Sequence, residues 1–173
     1  MTTKTLVAAD AAQEGVDPAA FRATMRMIPT PVTIVTAAGP DGAPLGLTIG
    51  SFVSVSLEPT LVSFCVMKSS FTWAAIRSQG RFAVNVLASD QATHCRNFSS
   101  AAADRFDHVT WSPGPHGLPL VEGSLAWLAC EIDTVHEAGD HDLVIGRVLA
   151  VESSRDSDAL VFVRGGFAAP ASL

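Results

Sequence analysis

Residues Gly46–Ser56 read G-L-T-I-G-S-F-V-S-V-S, interleaving the hydroxyls of Thr48, Ser51, Ser54 and Ser56 with apolar Ile49, Phe52, Val53 and Val55. Glycines at 46 and 50 let the backbone approach another surface closely. A buried strand seldom carries so many hydroxyls, and a solvated loop seldom carries so much Val, Ile and Phe. The mixture suits a flat, partly apolar ligand with polar edges, such as a cofactor ring with a sugar-phosphate tail. The plainer alternative is a barrel strand whose hydroxyls face water. Lys68-Ser69-Ser70-Phe71-Thr72 follows an apolar run and opens a helical pattern. Free N–H groups at a helix start, hydroxyls and one ammonium together suit a phosphate. The alternative is an ordinary helix cap with Lys68 solvated. Gly139-Asp140-His141 puts an imidazole at a turn. It belongs either over a pocket mouth, oriented by a neighbouring carboxylate or backbone group, or on the bare surface.

Other chemistries find little support. The formal net charge of −6 argues against a nucleic-acid surface, which needs a basic face to neutralise phosphates. Cys65, Cys95 and Cys130 are far apart, with no C-x-x-C, and read as free buried thiols of a reducing compartment. The five histidines form no metal constellation. No Walker-type loop, strand-linked G-x-G-x-x-G or nucleophile elbow occurs. No apolar run approaches the roughly 18 residues of a bilayer span, and residues 1–15 lack a signal-peptide core. The expectation is a cytoplasmic protein that touches neither membrane nor nucleic acid.

The elements that must position these groups follow from periodicity and punctuation. Asp17 and Pro18 start a short helix whose Phe21, Met25 and Ile28 share a face. Val32–Ala37 is a strand, Gly39-Pro40-Asp41-Gly42 a turn, and Ala43–Ser56 the returning strand. Leu61–Met67 reads as a central apolar strand. Ser69 or Ser70 caps a helix that ends near Gly80, with Trp73 and Ile76 on its apolar side. Phe82–Leu87 is a strand, Asp90–Phe98 a short helix, and Ser99–Pro119 a loop. Leu125–Val135 and Leu143–Val151 are long strands around a turn at Gly139–Asp142. Ala159–Arg164 is the last strand, and Gly165-Gly166 opens a tail. About seven strands joined mostly as hairpins, with few short helices, favour an antiparallel barrel over a doubly wound parallel sheet. The expected organisation is a flexible N-terminal tail over residues 1–16, one domain over 17–168, and a C-terminal tail over 169–173.

Taken together and in this order, the blocks resemble the short-chain flavin reductase family. The match runs through P-T-P-V-T-I-V-T (29–36), G-L-T-I-G-S-F-V-S-V-S-L-E-P (46–59), K-S-S-F-T (68–72), F-A-V-N-V-L (82–87), D-R-F (104–106), G-D-H (139–141) and L-V-F-V-R-G-G-F (160–167). One departure is Gly50, where the family commonly has Ser. The resemblance implies a mainly β fold, an antiparallel Greek-key split β-barrel that binds FMN, with short peripheral helices. It implies an NAD(P)H-dependent reductase of FMN or FAD that supplies a two-component monooxygenase, works as a homodimer, and accepts hydride from NADH or NADPH. Residue by residue, it implies that Thr48, Ile49, Gly50 and Ser51 line the flavin and that Phe52 shapes the pocket. Lys68, Ser70 and Thr72 would hold the phosphate. Asn85 and Arg105 are flavin contacts or, alternatively, a strand-end hydrogen bond and a surface ion pair. His141, with Asp140, would serve the nicotinamide, and Phe167 would sit at the rim. The cofactor carries the hydride chemistry, so no side chain is expected to act as acid or base. Rival readings are a split barrel that retains FMN as an oxidase or oxygenase, and a non-catalytic flavin-binding protein.

Overall fold

The predicted turn at Gly39–Gly42 joins β2 (Thr33–Ala38) to β3 (Pro44–Ile49) as an antiparallel hairpin. The structure, a computed structural model, describes residues 15–99 and 105–170. Most of the expected N-terminal tail, the end of the C-terminal tail, and Asp104 of the D-R-F block lie outside those residues.

Ala43–Ser56 is two strands rather than one. β3 ends at Ile49, the chain bends through Gly50, Ser51 and Phe52, and β4 (Val53–Leu57) pairs with β5 (Thr60–Met67). With β6 (Arg81–Val86), β9 (Ala126–Ala138) and β10 (His141–Ser153) these build a seven-stranded antiparallel sheet ordered β3-β2-β6-β9-β10-β5-β4. β5 is therefore next to an edge and β9 is central, contrary to the expectation from apolarity. Burial on both faces makes a strand apolar wherever it lies in the order.

The sheet is coiled into a barrel. Leu47 and Ile49 of β3 share one core with Val62, Phe64 and Val66 of β5 and with Val35, Phe82, Val84, Cys130 and Val144. Strands at opposite ends of a flat sheet could not meet in one cluster. Edge-to-face contacts of Phe64 with Trp73 and Phe82, at centroid distances of 5.9 and 5.4 Å, fill its centre. β3 and β5 face each other without pairing, which makes the barrel split. The Gly50–Phe52 bend crosses that split.

Among the described residues three α-helices flank the sheet. α1 (Pro18–Met25) is capped by Asp17, whose carboxylate accepts from the N–H groups of Ala19 and Ala20. Its predicted apolar residues Phe21 and Met25 stay exposed. α2 (Phe71–Gln79) is capped by Ser70, ends at left-handed Gly80, and buries Trp73 and Ile76. α3 (Ala92–Ser99) lays Phe98 against Gly46. A second core of Ile34, Leu87, Cys95, Phe98, Val109 and Leu160 lies beneath it. The segment read as loop over 99–119 carries a short strand, β7 (Trp111–Pro113), paired with β8 (Pro119–Val121). β1 (Thr30–Pro31), β11 (Val161–Val163) and β12 (Gly166–Ala168) make a small third sheet, so Arg164-Gly165 is a hairpin turn and Gly166 starts a further strand rather than a tail. No helix among the described residues is long and apolar enough to cross a membrane.

Candidate active site

The split in the barrel holds the candidate site. A cleft of about 410 Å³ is lined by Thr48, Ile49 and Gly50 of the crossing segment, Cys65 and Met67 of β5, Ser70 at the start of α2, Ser99, Arg105 and His141. That volume falls within the ~300–1,000 Å³ of small-molecule sites.

One end is built for an anion. Ser70 caps α2, accepting from the Trp73 N–H at 3.2 Å, and the positive end of the helix opens there. Arg105 Nη1 donates to the carbonyl of Gly46 at 2.8 Å and to the hydroxyl of Thr72 at 3.1 Å. Its Nε is buried and has no partner among the described residues. A buried guanidinium N–H costs free energy until an acceptor arrives. An oxygen-rich anion supplies one, so the donor set fits the phosphate of a flavin nucleotide. Among the described residues Arg105 forms no ion pair.

The other end carries His141, the first residue of β10, paired with Met67. Its Nδ1 lies 2.7 Å from Asp140 Oδ1. This hydrogen bond, the largest cause, holds the Asp140 carboxyl below its ordinary range. Ionised Asp140 accepts from Nδ1–H, which leaves Nε2 for a ligand. His141 was expected in the turn and is instead the strand's first residue, which gives its ring a fixed backbone. Asp140 itself stands at the exposed hairpin tip.

Several sequence candidates lie elsewhere. The Ser51 hydroxyl accepts from the Cys65 N–H at 2.8 Å and donates to the Cys65 carbonyl at 3.1 Å. It pins the crossing segment to β5, so its hydroxyl is already spent. Phe52 packs on the barrel core. Lys68 Nζ pairs with Glu137 at 3.0 Å and does not line the cleft. Asn85 is fully buried; its amide donates to the Ile34 carbonyl and Thr36 hydroxyl and accepts from Val121 N–H. It cannot reach a flavin, and the structural alternative describes it. Thr72 faces Arg105. Phe167 lies in an adjoining recess of about 210 Å³ with Phe162 and Thr30, reached past Gly50. A Cβ on Gly50 would stand 3.3 Å from Thr30 Oγ1, so this chain's departure from Ser accommodates that neighbour.

The sequence pattern of the flavin reductase like domain matches residues 25–171. The chain belongs to the flavin reductase-like family. A flavin reductase of Pseudomonas putida is 42% identical over 163 residues, covering 94% of this chain and 96% of that protein. The reductase subunit of a flavin-dependent monooxygenase from Rhodococcus jostii is 42% identical over 156 residues, covering 90% of this chain and 80% of that one. The structure of the NADH:FAD oxidoreductase of Streptomyces globisporus, solved with NAD and FAD fragments, superposes with a TM-score of 0.85 at 36% identity, covering 92% of this chain and 98% of that chain. The split barrel of the flavin reductases is thus the fold of this chain.

Sequence reasoning missed Cys65, Met67, Phe98 and Ser99 as lining residues of this flavin reductase-like cleft. A period-two count along β5 separates Cys65 and Met67 from Phe64 and Val66, which face the core. Cys65 is thereby half-buried, whereas Cys95 and Cys130 are buried. Burial pushes the Cys130 thiol up to about 12 and raises that of Cys95. Mild iodoacetamide is expected to alkylate the native protein at Cys65 alone, and all three thiols once it is unfolded. Mass spectrometry of the modified peptides reads this, and native labelling of Cys130 as fast as Cys65 would contradict the assignment.

Proposed function

We propose that this protein is an NAD(P)H:flavin oxidoreductase that reduces FMN or FAD and delivers the reduced flavin to a partner monooxygenase. The observation that carries the reading is one cleft with an anion-holding end at Ser70 and Arg105, a backbone wall at Thr48–Gly50, and an oriented imidazole at His141. The bound flavin supplies the hydride-accepting ring. The chain's own groups would bind and orient it: Arg105 and the start of α2 would hold the phosphate, and Thr48–Gly50 would line the ring. His141 Nε2 holds the nicotinamide end.

NADH is the preferred donor. The NADH:FAD activity named for the Streptomyces relative supports this choice. The working form is a homodimer. Val53, Val55 and Leu57 on edge strand β4 are 54%, 50% and 82% exposed. An apolar, unpaired sheet edge is an association surface. Three free thiols support a cytoplasmic setting.

The test is a steady-state assay crossing NADH and NADPH with FMN, FAD and riboflavin. Turnover with NADH and free flavin is expected; a purified protein that oxidises neither nicotinamide with any flavin would overturn the reading. In the same assay His141→Ala is expected to raise KM for NADH about tenfold and lower kcat less than about threefold, the pattern of lost uniform binding. An unchanged KM would remove His141 from that role.

A further inference from the structure

Asp142 is the only carboxylate buried among the described residues, with 4% relative exposure. It follows His141 on β10 and, by strand alternation, points into the barrel where His141 points to the cleft. One carboxylate oxygen accepts from the indole Nε1 of Trp73 at 2.8 Å. The Arg77 guanidinium stands 3.5 Å from the same oxygen and is itself half-exposed. Trp73 is 2% exposed, so its N–H needs an acceptor inside the protein. A leucine pair would fill this volume without the desolvation cost of a buried carboxylate. The contact therefore has a use beyond burial.

Its place in the fold indicates that use. Trp73 sits in the first turn of α2, one residue after Thr72 and three after Ser70, and its backbone N–H caps onto Ser70. On its other side that turn is tied to β3, because Arg105 bridges the Thr72 hydroxyl and the Gly46 carbonyl. The start of α2 is thus held from both banks of the split: by Arg105 to β3, and by Asp142 to β10. The link from β5 into α2 is already held beside His141 by the Lys68 N–H on the Asp140 carbonyl and the Ser70 N–H on the Met67 carbonyl, each at 3.1 Å, and Asp142 adds the side-chain tie that fixes the first turn of α2 itself. We propose that Asp142 is a positioning residue that, through Trp73, sets the anion-holding end of the cleft at a fixed separation from His141. The proposal rests on the flavin reductase reading and adds a residue that touches neither ligand.

The test uses three variants: Asp142→Leu, which removes the acceptor; Asp142→Asn, which keeps an oxygen for the indole; and Trp73→Phe, which removes the donor. KM values for FMN, riboflavin and NADH are measured, together with FMN and riboflavin affinities from flavin fluorescence in the absence of turnover. Asp142→Leu is expected to weaken FMN and NADH about tenfold each and riboflavin about threefold or less, since only FMN uses the start of α2 for a phosphate. Asp142→Asn is expected to stay within about threefold of the parent, because the hydrogen bond to Trp73 survives. Trp73→Phe, the smaller change in volume, is expected to repeat the Asp142→Leu pattern, and it decides the matter if Asp142→Leu does not fold. A folded Asp142→Leu or Trp73→Phe protein with the parent's FMN-to-riboflavin ratio would overturn the proposal, as would Asp142→Asn proving as damaging as Asp142→Leu. A parent protein that binds FMN without oxidising NADH would instead remove the reductase reading, while the affinity ratios would still decide the role of Asp142.

Discussion

Arg105→Met is expected to weaken FMN about 100-fold and riboflavin about tenfold or less, from lost charge-assisted hydrogen bonds of ~1.5–3 kcal/mol each. The guanidinium acts in two ways. Its Nε, buried and without a partner among the described residues, is a donor available to the phosphate. Its Nη1 holds Thr72 to Gly46, 2.8 Å from the Gly46 carbonyl, and so fixes the start of α2 beside β3. Methionine keeps the aliphatic stem and its packing, which separates the polar loss from a cavity. Lysine would not rescue, because a single ammonium cannot reproduce the planar fork that reaches Gly46, Thr72 and a ligand at once. Fluorescence titration with both flavins reads the difference. Equal losses for FMN and riboflavin would show that Arg105 supports the cleft without meeting the phosphate.

Gly46→Ala is expected to lower the melting temperature by about 5–10 °C, on overpacking costs of ~2–3 kcal/mol for a chain of this size. A Cβ at this position would stand 2.5 Å from Phe98 Cε1 and 3.1 Å from Phe106 Cζ. Phe98 is 2% exposed and packs edge-to-face on Phe106 at a centroid distance of 4.7 Å, so neither ring has room to yield. The added methyl would push α3 from β3 and carry Ser99 and Arg105 with it. Flavin affinity is therefore expected to fall along with stability. Calorimetry with and without FMN separates the two effects. A melting temperature within a degree or so of the parent, on a scale of ~2–4 °C per kcal/mol, would show that α3 is not held against Gly46.

Much of the local architecture was legible from neighbouring residues. Asp17 and Pro18 start α1, Ser70 caps α2, Gly80 ends it, and the Gly39–Gly42 turn makes a hairpin, because each depends on groups within about four positions. The three segments of the site were legible as well, since hydroxyls among apolar residues, a capped helix start and a turn histidine are chemical patterns. The Gly50–Phe52 bend was not. G-S-F reads as a continuation of a β pattern until the barrel must be crossed, and that need arises only when β5 stands opposite β3.

The roles of individual side chains divide the same way. Sequence alone determined that this chain is a mainly β flavin reductase-like barrel, and brought Thr48–Ser51, Ser70–Thr72 and His141 forward as candidates for its chemistry. Tertiary structure decided which of those groups are free to bind. Ser51 is spent on Cys65, fourteen residues away, and Lys68 on Glu137, sixty-nine away. Asn85 is spent inside the sheet, and Arg105 is left with a buried donor that no described residue uses. A hydroxyl or an ammonium has the same formula whether it faces a ligand or a neighbouring strand. What decides between them is the partner brought up by distant chain, since buried donors and acceptors pair with whatever the fold places within reach.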